Sequence, residues 1–505
     1  MSLGNKVERA AWAVLILALC LSLAGCGPLP GRSTSGGDGA SLEKALQPLV
    51  DEWRTENGVP GVAMVVSPRE GDPVTLAAGI ADLETEKRMT GKELFDAGTI
   101  TQTFVAAALL QLADEGKLEL DALVGEYLPA FPPGAAITVR QLLSHTSGLP
   151  ELRNDPETLE AFFRDPGRRW SLVELLDLAA AMPAYFEPGT SFRDTDTDYI
   201  VAAAILEAVT GSDLATELRE RFFEPLGLKD TFVAGLEEMR RPYVSGYLAC
   251  GHELAATIQA FHGDRVFCQW GGLDLDRMTK YQEATFNTGA SGVVSSATDL
   301  LRWARALYAG QVLSAAAQQE MFTFDAARSS HGLGAMHFMP PTGEVAWGHT
   351  GRALGVESIL LYSPARDVAL LAFSNAGDVG NLTYLTDSVL DVLAGMETAE
   401  GPAERSLDEL MADLQDADPA ARREAATVLG RMGAGAASAA PTLVQLLAED
   451  PDWQVRQAIA TALGSIGPAS LVAEPLRNAA LNDPHDRVQW AAQLALSSLS
   501  GGPEQ

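Results

Sequence analysis

The chain has 505 residues, of which 47% are hydrophobic and 20% charged, which is the composition of a globular protein with room for about two to four domains. Its 36 Lys and Arg residues stand against 67 Asp and Glu residues, giving a formal net charge of −31. Polyanions are bound by clustered cations, so this balance argues against a nucleic-acid partner.

The N-terminus has the features of an export signal. Lys6 and Arg9 precede an apolar run over 11–25, which is short for a membrane-spanning helix. A stretch rich in Gly, Ser and Pro follows. We therefore expect a signal peptide over 1–25 and a flexible linker over 26–41.

The four residues Leu23-Ala24-Gly25-Cys26 resemble the bacterial lipobox, in which the cysteine becomes the lipidated first residue of the mature chain. The resemblance implies an exported protein that is anchored by Cys26 to the bacterial cell envelope, on its periplasmic or extracellular face. The alternative is an ordinary small-residue cleavage site with an incidental cysteine.

Two further cysteines, Cys250 and Cys268, lie within the predicted globular part of the chain. Exported proteins fold in an oxidising compartment, where such a pair favours a disulfide. The alternative is two separate buried thiols.

Mixed α and β patterns continue from the linker to about residue 396. The apolar spacing predicts a helix over 42–57, strands over 61–68 and 73–82, a two-stranded hairpin over 355–375 and a helix over 381–395. This order predicts an α/β (α+β) domain in which helices flank an antiparallel sheet and a helical insertion interrupts it.

After a predicted linker over 397–406, the sequence becomes rich in Ala and Leu with the pattern of helices. Three segments align with one another, at 418–430, 452–464 and 485–497, and Asp-Pro pairs recur at 418, 450 and 483. Such a period predicts a helical repeat array over 407–500. The pattern resembles HEAT-like repeats, which implies a possible protein partner; the alternative is a simple helical bundle.

Several stretches together resemble the serine β-lactamase-related family, which holds class C β-lactamases, D,D-peptidases and esterases. These stretches are Val59-Pro60-Gly61, 95–129, 137–150, 186–192, 221–231, 290–300 and 348–355. The resemblance covers about residues 42 to 396 and implies a β-lactamase/transpeptidase-like fold.

The family's chemistry uses a Ser-x-x-Lys pair, a Tyr-x-Asn motif and a Lys/His-Thr-Gly strand, since a hydroxyl needs neighbours that manage its proton. The matching positions here are Thr99 for the serine, Gln102 for the lysine, Asp194 for the tyrosine and Asp196 for the asparagine. The third motif is kept, as His349-Thr350-Gly351.

Each departure weakens the expected chemistry. The methyl group of Thr99 restricts its side-chain rotamer, a neutral amide at Gln102 cannot act as a base, and Asp194 is much shorter than tyrosine. We therefore expect a catalytically inactive pseudoenzyme that binds a small molecule or peptide in its cleft, with no cofactor and no metal. The alternative is an active esterase, D-amino-acid peptidase or β-lactamase-like enzyme that uses Thr99 in place of serine.

The altered motifs also have structural interpretations. Thr99 and Gln102 precede an apolar helix with the spacing of a capping box. Asp198 is predicted to cap a helix over 199–211, and the alternation of Asp194, Asp196 and Asp198 resembles the start of a calcium loop without its later ligands.

Two residues near the motifs are assigned more simply. The His145 of the sequence His-Thr-Ser-Gly is interpreted as part of a structural turn. Arg352 follows the His-Thr-Gly strand motif and is a candidate for binding a ligand carboxylate. Because Lys and Tyr are replaced by Gln and Asp, the pocket should favour cationic ligands over those bearing a carboxylate.

Overall fold

The computed structural model covers most of the chain from residue 37 onward. The described residues are 37–165, 168–239, 244–249, 268–269, 272–274, 285–323, 330–340, 342, 344–377, 380–399, 406–485, 488–489, 491–492 and 495–496. The predicted signal peptide, Cys26 and Cys250 lie outside this set, so lipidation and the disulfide stay predictions.

The helices are numbered in chain order over the described residues. They are α1 (Gly37–Asn57), α2 (Thr101–Asp114), α3 (Val124–Tyr127), α4 (Val139–Leu143), α5 (Pro156–Arg164), α6 (Leu172–Ala181), α7 (Asp196–Thr210), α8 (Leu214–Leu218), α9 (Ala297–Tyr308), α10 (Ala315–Met321), α11 (Leu382–Ala399), α12 (Leu407–Asp413), α13 (Pro419–Met432), α14 (Ala440–Glu449), α15 (Trp453–Ile466) and α16 (Ala469–Asn482).

The strands are numbered in the same way. They are β1 (Gly61–Ser67), β2 (Val74–Asp82), β3 (Lys87–Arg88), β4 (Leu94–Asp96), β5 (Phe232–Val233), β6 (Tyr247–Ala249), β7 (Cys268–Gln269), β8 (Gly272–Asp274), β9 (Val293–Ser296), β10 (Met336–Phe338), β11 (Ala346–Ala353), β12 (Val356–Ser363), β13 (Val368–Ser374) and β14 (Ala376–Gly377).

The central sheet has seven strands in the order β10-β11-β12-β13-β1-β2-β3, and every neighbouring pair is antiparallel. Successive side chains of a strand point to opposite faces. In β1, Ala63 and Val65 therefore join one hydrophobic core, while Val62, Met64 and Val66 join a second core on the other face. The predicted antiparallel sheet between helices is confirmed.

Helices cover both faces of this sheet. The second core contains Leu46 and Val50 of α1 together with Leu385 and Val389 of α11. The first core contains α2, whose side chains are buried on nearly all sides. Helix α1 begins at Gly37, five residues earlier than the sequence pattern predicts, and so continues into the predicted linker.

The predicted helical insertion lies between strands β4 and β9. These two strands pair with each other and with β5 in a small antiparallel sheet, and helices α2 to α8 lie between them along the chain. The turn between β4 and α2 packs against β11, which places the start of α2 next to the central sheet.

Helices α12 to α16 form a repeat array with its own hydrophobic core. Arg422 forms a two-pronged ion pair with Asp450, with N···O distances of 2.7 and 2.9 Å, and Arg456 does the same with Asp483 at 2.8 and 2.9 Å. In the next repeat Gln489 holds the place of the arginine and donates to the backbone oxygen of Asp483. A ladder of ion pairs thus joins successive repeats.

Among the described residues no single helix is long and apolar enough to cross a membrane. One bent pair of helical segments, α7 with Leu214–Phe223, has the length and composition of a membrane span, and no other property is shown for it.

Candidate functional site

The site is built around the turn that leads into α2. The Asp96 carboxylate accepts a hydrogen bond from the backbone N–H of Gly98 at 2.8 Å, which starts a short 3-10 turn over Gly98–Ile100. Gly98 has a φ of +57°, and a Cβ atom there would lie 2.4 Å from the backbone nitrogen of Arg352. Glycine thus allows this turn to lie against β11.

The hydroxyl of Thr99 points to β11 and does not cap the helix. Its Oγ1 donates to the carbonyl oxygen of Thr350 at 3.0 Å, and α2 begins at Thr101 with no side-chain cap. A capping box needs an extended N-cap residue, whereas the backbone at Ile100 is already helical. The predicted capping box of Thr99 and Gln102 is therefore wrong.

Gln102 is fully buried beneath this turn. Its Oε1 lies 3.2 Å from Nε2 of His145, and its Nε2 has no hydrogen-bond partner among the described residues. A buried amide donor without a partner costs about 1–3 kcal/mol. The position that holds lysine in the family is thus filled by a neutral group that contacts a histidine.

His145 is a site residue that the sequence interpretation missed. Its backbone forms the expected turn, with a φ of +55°, but its buried ring lies between Gln102 and the start of α7. Nδ1 lies 3.0 Å from Oδ2 of Asp198, and Nε2 lies 3.5 Å from Oδ1 of Asp194. The partners are far apart in the chain, so no local spacing signals the contact.

The three alternating aspartates have separate roles. Asp198 was predicted to cap the helix, but α7 begins two residues earlier and buries Asp198, which accepts hydrogen bonds from Ser147 and Thr195. A buried carboxylate needs such donors. Asp196 lies 3.9 Å from Arg153. Within the described residues no group of three or more His, Cys, Asp or Glu is arranged to hold a metal ion.

The rings of His145, His331 and His349 form a cluster, with His331 between the other two at centroid distances of 5.7 and 6.2 Å, and their pKa values differ in direction. Burial alone would lower the pKa of His145, but the hydrogen bond to Asp198 and the neighbouring aspartate charges outweigh it, so this pKa lies above its ordinary value of 6.5. Burial lowers the pKa of His331 to about 3 and that of His349 to about 4. Of the three rings, His145 therefore holds a proton most readily.

Asp194 is held ionised by these neighbours. Burial would raise its pKa, but the positive charges of His145 and, at greater distance, Arg352 lower it below the usual range. By contrast, burial and the nearby carboxylate of Asp196 raise the pKa of Glu151 to about 7. Glu151 accepts the backbone N–H of Asp196 at 2.8 Å.

These residues line one cleft of about 510 Å³. Its walls are Thr99, Glu151, Arg153, Asp194, Asp196, Thr350, Gly351, Arg352, Glu357, Ser358, Ile359, Gly380, Asn381, Leu382 and Thr383. The cleft brings together all the predicted pocket residues except Gln102 and His349, which lie buried behind it. It offers four carboxyl groups against two guanidinium groups, together with several hydroxyls.

In the part of the chain that the structure describes, no base is hydrogen-bonded to the Thr99 hydroxyl. Among the described residues, the side chain of Thr99 hydrogen-bonds only to a carbonyl oxygen, which has no capacity to take its proton. Thr99 and the strand motif at Thr350 and Gly351 nevertheless line the cleft.

Comparisons with known proteins agree with this geometry. The Beta-lactamase family model matches residues 42–394, and the HEAT repeats model matches residues 407–497. Penicillin-binding protein 4 of Amycolatopsis lactamdurans is 28% identical over 379 residues, which span 70% of this chain and 91% of the relative. Esterase EstB of Burkholderia gladioli is 29% identical, over 54% of this chain and 71% of the esterase.

Solved structures give the same result. A D-stereospecific amidohydrolase from Streptomyces sp. superposes with a TM-score of 0.58 at 27% identity, over 70% of this chain and 98% of the other. The D-amino acid amidase of Ochrobactrum anthropi SV3, complexed with D-phenylalanine, superposes with a TM-score of 0.60 at 25% identity, over 70% and 99%.

The fold and the cleft together define a serine-hydrolase-like domain of the β-lactamase and transpeptidase type. The chain belongs to the Beta-lactamase family over residues 42–394, and HEAT repeats follow this domain.

Proposed function

We propose that the cleft binds a ligand and no longer carries out the family's serine-type hydrolysis. The observation that supports this proposal is the pairing of Gln102 with His145, because it puts an amide where the reaction needs a base. Among the described residues, the Thr99 hydroxyl donates its one hydrogen bond to the backbone oxygen of Thr350, which cannot serve as a base.

Ester hydrolysis tests this proposal directly. Short-chain nitrophenyl esters are incubated with the wild-type protein starting after Cys26 and with Thr99→Ala. Equal background rates in both proteins would support a binding function. Turnover that is lost in Thr99→Ala would overturn the proposal and make Thr99 a nucleophile.

The acidic cleft supports a cationic, amine-bearing ligand. Asp194 is ionised and half-exposed, and Glu151, Asp196 and Glu357 line the same space. Two relatives with solved structures are a D-stereospecific amidohydrolase and a D-amino acid amidase, so derivatives of D-phenylalanine are suitable probes. D-phenylalanine amide carries a positive charge, whereas N-acetyl-D-phenylalanine has the same side chain with a negative charge.

Calorimetry measures the affinity of the protein for each compound and so compares a positively charged ligand with a negatively charged one of similar shape. The amide should bind more tightly, and Asp194→Asn should remove most of the difference. Tighter binding of the acetylated acid, or of a penicillin, would contradict the proposed ligand class.

A hydrolase is the second candidate, and one observation favours it. The ionised Asp194 lines the same cleft as the Thr99 hydroxyl, and a carboxylate is able to accept a proton. This candidate predicts that ester turnover disappears in Asp194→Asn as well as in Thr99→Ala. A rate that survives Asp194→Asn would exclude Asp194 as the base.

We also propose that the protein is exported and anchored through Cys26. The supporting pattern is the lipobox-like sequence that ends at this cysteine. Bacteria that produce the protein are labelled with a fatty acid, and the label should appear in the wild type and be absent from Cys26→Ala. Equal labelling of both would contradict lipidation at this position.

The HEAT repeats are proposed to contact a protein partner, since arrays of this kind present extended surfaces for binding. Cross-linking in the producing cell, followed by comparison with a chain ending at residue 406, tests this role. A partner that is captured equally by the shortened chain would assign the contact to the preceding domain.

The disulfide between Cys250 and Cys268 is proposed from the exported context. If the disulfide is present, alkylation of the denatured protein without a reductant should leave Cys250 and Cys268 unmodified. Modification of both would show that they are free.

A further inference from the structure

The ring of His145 has a hydrogen-bond acceptor at each nitrogen. Nδ1 faces the carboxylate of Asp198 at 3.0 Å, and Nε2 faces Oε1 of Gln102 at 3.2 Å and Oδ1 of Asp194 at 3.5 Å. A neutral imidazole has one N–H donor and one lone pair, whereas the imidazolium has two donors. The backbone N–H of Thr195 also faces Nδ1, at 3.4 Å, but the Asp198 carboxylate is closer, so the charged ring best satisfies the nearest groups on both sides.

The orientation of the Gln102 amide does not change this conclusion. Exchanging its oxygen and nitrogen would let the amide donate to a neutral ring at Nε2. The carboxylate oxygen of Asp194 would still face the same nitrogen, and it has no proton to donate while it is ionised. Burial raises the pKa of Asp198, while hydrogen bonds from His145, Ser147 and Thr195 act against this rise. In their ionised forms the two aspartates favour a proton on each nitrogen of His145.

We infer that His145 is a buried positive charge directly behind the cleft, beside Gln102, which holds the position of the family's lysine. Arg153 and Arg352, by contrast, are cations of the cleft wall itself. His145 is a positioning residue, because its Nδ1–H faces Asp198 and its Nε2–H faces Gln102 and Asp194 from behind the cleft wall. This inference goes beyond the proposed function, since it holds whether the cleft binds a ligand or hydrolyses one.

The groups that surround His145 leave it as the cation of the cluster. Burial keeps the neighbouring His331 and His349 neutral at pH 7, with ring centroids of His331 and His145 only 5.7 Å apart. Tyr199 also packs on the ring, but its hydroxyl donates to the carbonyl oxygen of Leu143. The titratable groups that face His145 are Asp194, Asp196, Asp198, Tyr199, His331 and His349.

A charge at His145 has a consequence for the cleft wall. The positive ring stabilises the ionised form of Asp194, which is the carboxylate that faces the ligand. Removing the charge should weaken binding of an amine through Asp194, even though His145 itself does not line the cleft.

Proton NMR of the full chain labelled with ¹³C in its histidine rings tests the inference without a ligand. His145→Asn identifies the signal, and asparagine suits the left-handed backbone at this position. The wild-type signal should titrate with a midpoint above 6.5, the ordinary histidine value. The signal of His485, in the repeat array, serves as an internal control.

Two variants move the midpoint in a predicted direction. Gln102→Lys places a second cation beside Nε2 and should lower the His145 midpoint by at least about one pH unit. Asp198→Asn removes the carboxylate at Nδ1 and should lower it as well. If His145→Asn does not fold, these two variants still identify the signal, because the His145 midpoint should fall in both, whereas His331 and His349 are relieved of repulsion when His145 loses its charge.

The outcomes are distinct. A wild-type midpoint below 6.5, or a midpoint that is unchanged in Gln102→Lys, would overturn the inference. A ring that holds the turn as a neutral group would have its midpoint below 6.5 in the wild type. Because no ligand is used, failure here is separate from failure of the proposed ligand binding.

Discussion

The hydroxyl of Thr99 and the carbonyl oxygen of Thr350 are joined by a hydrogen bond of 3.0 Å between residues 251 positions apart. This contact attaches the turn before α2 to strand β11 and directs the hydroxyl away from the helix. The position that carries the nucleophile in the family thus helps to hold the cleft in shape.

Replacing this threonine by serine should not create an enzyme. Thr99→Ser removes the methyl group that restricts the side chain, but Gln102 still provides no base. We expect nitrophenyl ester hydrolysis to stay at the level of Thr99→Ala. A clear gain of turnover in Thr99→Ser would show that steric crowding, and not the missing base, limits the chemistry.

Glu151 should make the protein less stable as the pH rises. Burial and the carboxylate of Asp196 raise its pKa from 4.5 to about 7, so the folded chain binds this proton more tightly than the unfolded chain. Its stabilising contribution is present below pH 4.5 and is lost as the pH rises through 7. In Glu151→Gln, the free energy of unfolding from urea titrations should fall less over this range than in the wild type.

Apart from its pH dependence, the free energy of unfolding of Glu151→Gln should also differ in absolute value from that of the wild type. Glutamine presents one oxygen instead of two to the backbone N–H groups of Arg153 and Asp196, so Glu151→Gln should be less stable at low pH. Equal pH slopes in both proteins would contradict the raised pKa.

His349 should have the opposite effect on the acid side. Burial lowers its pKa from 6.5 to about 4, so the unfolded chain binds the proton more readily between these values. Stability is therefore lost as the pH falls from 6.5 to 4. We expect His349→Gln to lose less unfolding free energy than the wild type between pH 7 and pH 4.5.

His485→Gln is the control for that measurement, because His485 belongs to the repeat array. A His349→Gln variant with the acid sensitivity of the wild type would show that His349 titrates normally in the folded protein.

Breaking the ion-pair ladder should destabilise the repeats. In Arg456→Gln the nearly buried carboxylate of Asp483 loses a two-pronged partner, which we expect to cost about 3 kcal/mol. Arg477→Gln is the matched control, because its pair with Glu474 is exposed and contributes at most about 1 kcal/mol. Urea unfolding of the repeats, followed by circular dichroism, measures both, and equal losses would contradict the role of burial.

The sequence predicts the sheet well because its signal is local. Strand β1 and the hairpin of β12 and β13 occur where alternating or continuous apolar residues meet turn residues, within one or two positions of the predicted bounds. The three-residue match of His349, Thr350 and Gly351 likewise places the strand that forms one wall of the cleft.

The inner part of the site was not predictable in this way. The contact of His145 with Asp198 joins residues 53 positions apart, and it depends on how α4 and α7 pack. The predicted caps at Thr99 and Asp198 follow local rules that tertiary contacts override, because each side chain has a distant partner.

The contact between Gln102 and His145 also limits how this chain can change. A lysine at residue 102 would put two buried cations about 3 Å apart, unless His145 lost its proton or its carboxylate partners. A lysine at residue 102 is therefore compatible with this site once His145 becomes neutral, which corresponds to the lowered midpoint expected for Gln102→Lys. A protonated His145 thus makes a return of the lysine through one mutation unfavourable.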